Sequence, residues 1–557
     1  MTAEPRTPSA IDQVAEDWVD TLVELSPVLA TYIGRNEANA RLDDVSPAGH
    51  DRAVAAARDA LAKLDALEPV DKIDEVTKTD LSAELRLQSE LHDAQWHLRD
   101  LNVIASAPQD FRQAFDLMPT DTVEDWSVVS ERLSAVPGAL KGYIETLREG
   151  IRHGVVPARR QVREVATQIA RYSADEGFFA DFVAGAAPKG GQLPASLARD
   201  LADHAGAARV AYDALGEFLT GELAPVAGEE DAVGRDLYAL NSRRFLGATI
   251  DLDETYEWGR EELARMIAEQ ESIAREILPG ATVEEAVAHL EADPARKLQG
   301  TDALQKWMQE TSDRAIAELG ASHFDIPEQI RELECMIAPT QEGGIYYTGP
   351  TDDFSRPGRM WWSVPAGVTE FDTWRELTTV YHEGVPGHHL QIAQATYNRA
   401  ELNTWRRVLA GTSGHAEGWA LYAERLMQQL GYLDDPADRL GMLDGQRMRA
   451  LRVVLDIGVH LKKPRLDGQG VWDHDYALDQ MRHNVNMPDE FRQFEVNRYL
   501  GWPGQAPSYK VGQRIWEQVR DTVREQQGDA FNFKDFHKQA LDIGGVGLDT
   551  LRSSFVS

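Results

Sequence analysis

The chain has 557 residues, with 57 Lys and Arg against 92 Asp and Glu, a formal charge of -35. That acidity argues against nucleic acid or an anionic membrane as a partner, since both would be repelled. Hydrophobic residues make up 43% and charged residues 27%, ordinary for a globular protein long enough to bury a large core.

The start, Met1 to Thr7, leads into an acidic amphipathic segment and not an apolar leader, and no apolar run approaches the ~18 residues needed to span a bilayer. The cytoplasm is the expected location. Ile11, Val14, Trp18, Leu22 and Leu25 recur at threes and fours and predict an amphipathic helix over Ile11 to Tyr32. Leu81, Leu85, Leu91, Ala94, Leu98 and Leu101 predict another over 81–101, with Gln88 interrupting its stripe. Further helices are expected near 127–153, 158–172, 196–222, 255–277, 283–291 and 301–318. Ala186 to Gly191 and Leu278-Pro279-Gly280 read as loops. Cys335 is the only cysteine, which excludes an intramolecular disulfide and a multi-cysteine zinc site.

Near residue 335 the texture changes. Met336 to Pro339, Gly344 to Thr348 and Arg359 to Val364 read as short strands, joined by a turn-rich loop from Gly349 to Gly358. This β-ribbon, with Tyr347 on it, could pair with an extended peptide backbone. Together these features predict a mainly α fold with a helical region over 1–330 and a metal-binding region over 331–557, as one integrated unit.

The chemistry is concentrated in Tyr381-His382-Glu383-Gly384-Val385-Pro386-Gly387-His388-His389-Leu390-Gln391 and in His415-Ala416-Glu417-Gly418-Trp419. Catalytic zinc sites take three protein ligands, commonly two His and a carboxylate, and leave one position open. In an HExxH helix the two His stand at i and i+4. Here that position is Pro386, and the next His is at i+6, which diverges by roughly 120° around a regular helix. His389, at i+7, returns to the same face but roughly 10 Å along the axis. The helix must therefore break, and Pro386, which has no N–H for the carbonyl of His382, supplies the break with the permissive Gly387. His388, directly after Gly387, is the expected second ligand beside His382, with His389 as the alternative. Glu417 and Glu424 lie seven residues apart on one helix face, beside Ala420 and Leu421, where burial is costly unless they are paired or metal-bound. Glu417 is the expected third ligand, Glu424 the acceptor for a ligand imidazole N–H, and His415 a weaker alternative ligand. Glu383 is the expected general base. The donor to a developing oxyanion is expected to be Tyr509 first and His460 second. Arg356, Arg452, Arg498 and Lys510 are candidates to hold a substrate carboxylate.

The His382-to-Gln391 and Glu417-to-Glu424 blocks, with Pro503 to Gly512 and the Ser355-Arg356-Pro357-Gly358 loop, resemble the signature of the bacterial domain of unknown function 885 family. Glu24-Leu25-Ser26-Pro27 and Leu42 to Pro47 extend that likeness over the whole chain. The family is similar to helical gluzincin peptidases of the thimet-oligopeptidase and carboxypeptidase Taq types. In those the second ligand His commonly follows a Gly, and in the thimet type a second Glu follows the ligand Glu by seven residues. The departure here is a two-residue expansion between Glu383 and Gly387. The resemblance implies a helical zincin-like fold with a deep cleft, a Zn2+ cofactor and short peptides as substrates. A metal-dependent amidase or esterase, or a catalytically silent scaffold, are the alternatives. Oligomeric state, and endo- against exo-cleavage, are not specified.

Overall fold

A computed structural model describes residues 6–338 and 344–555. Pro339, at the end of the first expected strand, and the first residues of the expected acidic start lie outside the described residues. The stripe expected from Ile11 to Tyr32 folds as two helices, Ala10–Leu25 and Pro27–Tyr32. Ser26 divides them: its side chain accepts from the Leu29 N–H, and Pro27, which needs no N–H partner in a first turn, opens the second helix. The expected 81–101 helix runs Lys72–Asp93, because Asp71 caps it a full two turns upstream and the chain turns again at Trp96–Leu98.

The remaining long helices follow their apolar periods closely, including Val123–His153, Ala195–Phe218, Leu252–Ile277 and Thr301–Ser322. The molecule is mainly helical, and both expected loops remain outside helices. Two apolar cores account for most of its interior. One gathers Val28 through Ala227, centred on Leu133, Leu140, Tyr212 and Leu215. The larger gathers Tyr238 through Leu551 and includes Tyr381, Trp419, Leu451 and Trp516.

The strands form a three-stranded sheet with Gly358–Trp362 in the middle. Leu333–Ile337 pairs parallel to it and Ile345–Thr348 antiparallel. A second, two-stranded pairing joins Lys297–Gln299 to Glu370–Asp372, with Lys297 opposite Asp372. It delivers the chain into the helix Thr373–Glu383, which carries the first His-Glu pair. The second His begins the helix His388–Tyr397, and Glu417 lies on the helix Ser413–Gln429. Two further helices close around them, Pro436–His460 and Ser508–Gln527.

Candidate metal centre

The break expected between the two histidines is present. Helix Thr373–Glu383 ends at Gly384, whose φ of -93° and ψ of -128° leave the helical region, and the next helix starts at His388. A Cβ on Gly387 would lie 1.9 Å from the His382 carbonyl oxygen, so only glycine lets the chain turn back over the helix end. The turn is held from outside by Trp419, whose indole N–H donates to the Pro386 carbonyl at 2.8 Å. Trp419 stands two residues after Glu417, so one helix supplies both the carboxylate and the clamp on the break.

This turn brings the ring nitrogens together. His382 Nε2 lies 3.3 Å, and His388 Nε2 3.6 Å, from the same oxygen, Glu417 Oε2. The two rings are 4.8 Å apart, centre to centre, at 89°. Ligand atoms of His382, Glu383 and His388 all lie within 4.8 Å of one another. Four ligands at roughly 2.1 Å around a tetrahedral zinc would stand about 3.4 Å from each other, so the His-His-Glu donor set fits a zinc ion. Its electrostatics point the same way. Burial disfavours charge on His382, but Glu417 at one ring nitrogen and Glu424 at the other outweigh it and raise its pKa to about 10. Two carboxylates facing a single imidazole call for positive charge between them, and a metal supplies it in place of a proton. Burial pushes Glu383 up, while the histidines beside it work against that rise. Its carboxylate makes no hydrogen bond to another described residue and remains available to a reactant.

Behind the donor set runs a chain of bonds. Glu424 Oε1 accepts a hydrogen bond from His382 Nδ1 at 2.7 Å, and its other oxygen accepts from Gln446 Nε2 at 3.2 Å. Gln446 Oε1 accepts from Lys510 Nζ at 2.7 Å, and that ammonium also reaches Gln513 at 2.9 Å and Glu262 at 3.0 Å. Burial pulls Lys510 down to about 8, with Glu262 opposing it. All three of its protons are therefore spent inside the protein, which corrects Lys510 from a substrate ligand to a support for His382.

His389 points the other way. Its Nε2 donates to the Ile330 carbonyl at 2.7 Å, which leaves Nδ1 to accept from the Tyr347 hydroxyl at 2.9 Å. With both nitrogens occupied and the ring 1% exposed, His389 anchors the sheet to the metal helices, and Tyr347 is its partner. His415 is likewise turned inward, against Gln391 at 3.3 Å. His460 is 0% exposed, with Nε2 3.2 Å from the Tyr499 carbonyl and its ring beside Tyr238. Enclosed on every side, it cannot reach a substrate, and its expected role as oxyanion donor is corrected to a core residue.

Tyr509 lies within electrostatic reach of Glu417. Gly418 and Gly512 pack so closely that a Cβ on Gly418 would lie 2.4 Å from the Gly512 backbone, and this approach brings the Tyr509 helix against the Glu417 helix. Burial, and after it the negative charge of Glu417, push the Tyr509 phenol up to about 12. It therefore stays protonated as a donor near neutral pH. The expected carboxylate-holding arginines are spent elsewhere. Arg356 donates to the Gly349 and Pro357 carbonyls at 2.7 and 2.9 Å and so ties its own loop. Arg498 bonds Glu495 and Gln505, and Arg452 bonds Glu495 and the Tyr499 hydroxyl. Arg452 stands 5.2 Å from the centre of the Tyr509 ring, and the donors of Arg498 are met by Glu495 and Gln505, which corrects Arg498 as a substrate residue. Trp419, Gln446 and Arg449 were not singled out from the sequence; only Trp419, two residues from Glu417, carried a positional signal. A cavity of about 960 Å³ is walled by residues such as His50, Glu84, Trp96, Asp100 and Arg244, and none of the converging residues lines it.

Fold and site together describe a mainly helical protein in which His382, Glu383, His388 and Glu417 converge as a candidate metal site. The chain belongs to the bacterial family of unknown function DUF885, which it matches over residues 27–554. No curated protein matches it. Among solved structures it is similar to a protein of Colwellia psychrerythraea described provisionally as a lipoprotein, with 21% identity, 98% and 99% of the two chains covered, and a TM-score of 0.83. A similarly described lipoprotein of unknown function from Shewanella oneidensis gives 16% identity, 99% and 100% coverage and a TM-score of 0.76. A carboxypeptidase of Pyrococcus furiosus is a distant likeness, at 13% identity, 99% and 96% coverage and a TM-score of 0.39. The two lipoprotein neighbours overturn the expected cytoplasmic location, because lipoproteins are held at a membrane outside the cytoplasm. Among the described residues no helix is long and apolar enough to cross a membrane.

Proposed function

We propose that the protein is a zinc-dependent hydrolase that cleaves peptide bonds in short peptides. The observation that carries this reading is the meeting of His382 Nε2 and His388 Nε2 at one oxygen of Glu417, with the unengaged Glu383 carboxylate beside them. His382, His388 and Glu417 would hold the ion, and Zn2+ suits two imidazoles and a carboxylate. When bound, zinc supplies Lewis-acid polarisation and makes water more acidic. Glu383 accepts the proton of the attacking water and passes it to the leaving nitrogen. The Tyr509 phenol, kept protonated by its surroundings, donates to the carbonyl oxygen as negative charge builds on it. Glu424, Gln446 and Lys510 hold His382 in the tautomer that presents Nε2. The strong negative net charge disfavours nucleic acid as a substrate.

Metal content per chain and turnover of a broad peptide library test this together. About one zinc per chain is expected in the wild type and in His389→Gln, and little in His388→Ala. Glu383→Gln should keep its zinc and lose roughly 10²- to 10⁴-fold in turnover. A wild type that takes up no zinc when supplied with it, or that takes it up and cleaves no peptide, would sink the proposal.

A further inference from the structure

We infer that Arg449 forms a carboxylate-binding subsite beside the metal centre, which selects peptides whose free C-terminal carboxylate lies next to the bond to be cleaved. The inference rests on the peptidase reading above and narrows it to a carboxypeptidase or dipeptidase. It starts from the state of the cations around the site. Arg447 is held by Gln270 and Asn484, Arg452 and Arg498 share Glu495, and Lys510 is surrounded by three acceptors. Arg449 has none of this: it makes no hydrogen bond or ion pair with a described residue, and its Nε is buried without an acceptor.

Its position is specific. Arg449 lies three residues after Gln446, on the same helix, and its guanidinium carbon is 5.7 Å from the centre of the Tyr509 ring. Through Tyr509 it stands beside the Glu417 helix, against which the Tyr509 helix packs at Gly418 and Gly512. Gly445, one turn earlier, leaves it room, since a Cβ there would stand 2.7 Å from Nη1. A guanidinium is always charged and carries five N–H donors in a flat fork. Leaving such donors unmet in a half-buried place is costly, and the group that meets them two at a time is a carboxylate. A residue present only to balance the charge of Glu383 and Glu424 would donate to one of them. Arg449 donates to neither.

Binding without turnover separates this inference from the peptidase reading. In the zinc-loaded Glu383→Gln protein, calorimetry would compare N-acetyl dipeptides with the same dipeptides as C-terminal amides. The acids should bind roughly ten-fold tighter or more, the worth of one charge-assisted fork. Adding Arg449→Met should reduce that preference to less than about two-fold, and Arg449→Lys, which keeps the charge and loses the fork, should leave it intermediate. Zinc content and circular dichroism of each variant, matched to the Glu383→Gln parent, identify a folded protein. Equal binding of acids and amides in the parent, no binding of either, or a preference that survives Arg449→Met would overturn the subsite. An Arg449-dependent preference in a protein whose wild type cleaves no peptide would leave the subsite standing and remove the peptidase reading. Equal wild-type cleavage of acids and amides would do the reverse.

Discussion

Lys510 touches no candidate ligand, yet three hydrogen bonds join its ammonium to Nδ1 of His382, the ring whose Nε2 would meet zinc. Each link fixes the next: Lys510 fixes the Gln446 amide, Gln446 steadies Glu424, and Glu424 fixes which nitrogen of His382 carries the proton. Partners behind metal ligands typically contribute 10- to 100-fold in affinity. Lys510→Met should therefore weaken zinc binding by about ten-fold in competition with a chelator, while Lys510→Arg recovers part of the loss. Unchanged affinity in a folded Lys510→Met protein would show that the chain of bonds is incidental. At this scale residue type was legible and residue purpose was not. Lys510 and Arg498 looked like ligands for a substrate carboxylate, but what their donors meet is set by Glu262, 248 positions from Lys510, and by Glu495.

Among the elements, the broken helix decides most. Pro386 and Gly387 announced the break in the sequence, and the break rotates His388 toward Glu417 and His389 toward the sheet. Because a Cβ at position 387 would meet the His382 carbonyl at 1.9 Å, Gly387→Ala must shift one of the two metal helices. Such overpacking costs about 1–3 kcal/mol. Gly387→Ala should lose zinc while retaining helical circular dichroism, since the damage is confined to the turn. Full zinc content in that variant would mean the turn has more freedom than its packing allows. The choice between the two histidines was open in the sequence because it depends on where a non-helical turn points. Trp419, from another helix, fixes that direction by bonding the Pro386 carbonyl.

For the whole molecule, the proposed metal ligands come from three helices that all pack into the larger apolar core. An ion that binds only this arrangement must stabilise it by mass action. Zinc at about one hundred times its dissociation constant should add about 2.7 kcal/mol and raise the melting temperature, and a chelator should reverse the shift. His388→Ala should show no zinc-dependent shift at all. A melting temperature indifferent to zinc in the wild type would argue that the three ligands do not share one ion. Location is a matter for this scale as well. The cytoplasm was the expectation from the sequence, and the likeness of fold to two proteins described as lipoproteins removed it.

The sequence by itself determined the helical character, the helix pair interrupted at Pro386-Gly387, and the residue types of the candidate site. These are local properties, written in apolar period, in capping residues such as Ser26 and Asp71, and in the spacing of His and Glu. Only the tertiary structure decided that His388 and not His389 faces Glu417, that His460 is core, and that Arg449 has open donors. The first two depend on partners far apart in the chain, such as Ile330 for His389 and Tyr499 for His460, and the third on no described acceptor reaching Arg449. A hydrogen bond made across such a distance leaves no period or spacing in the sequence by which it could be read.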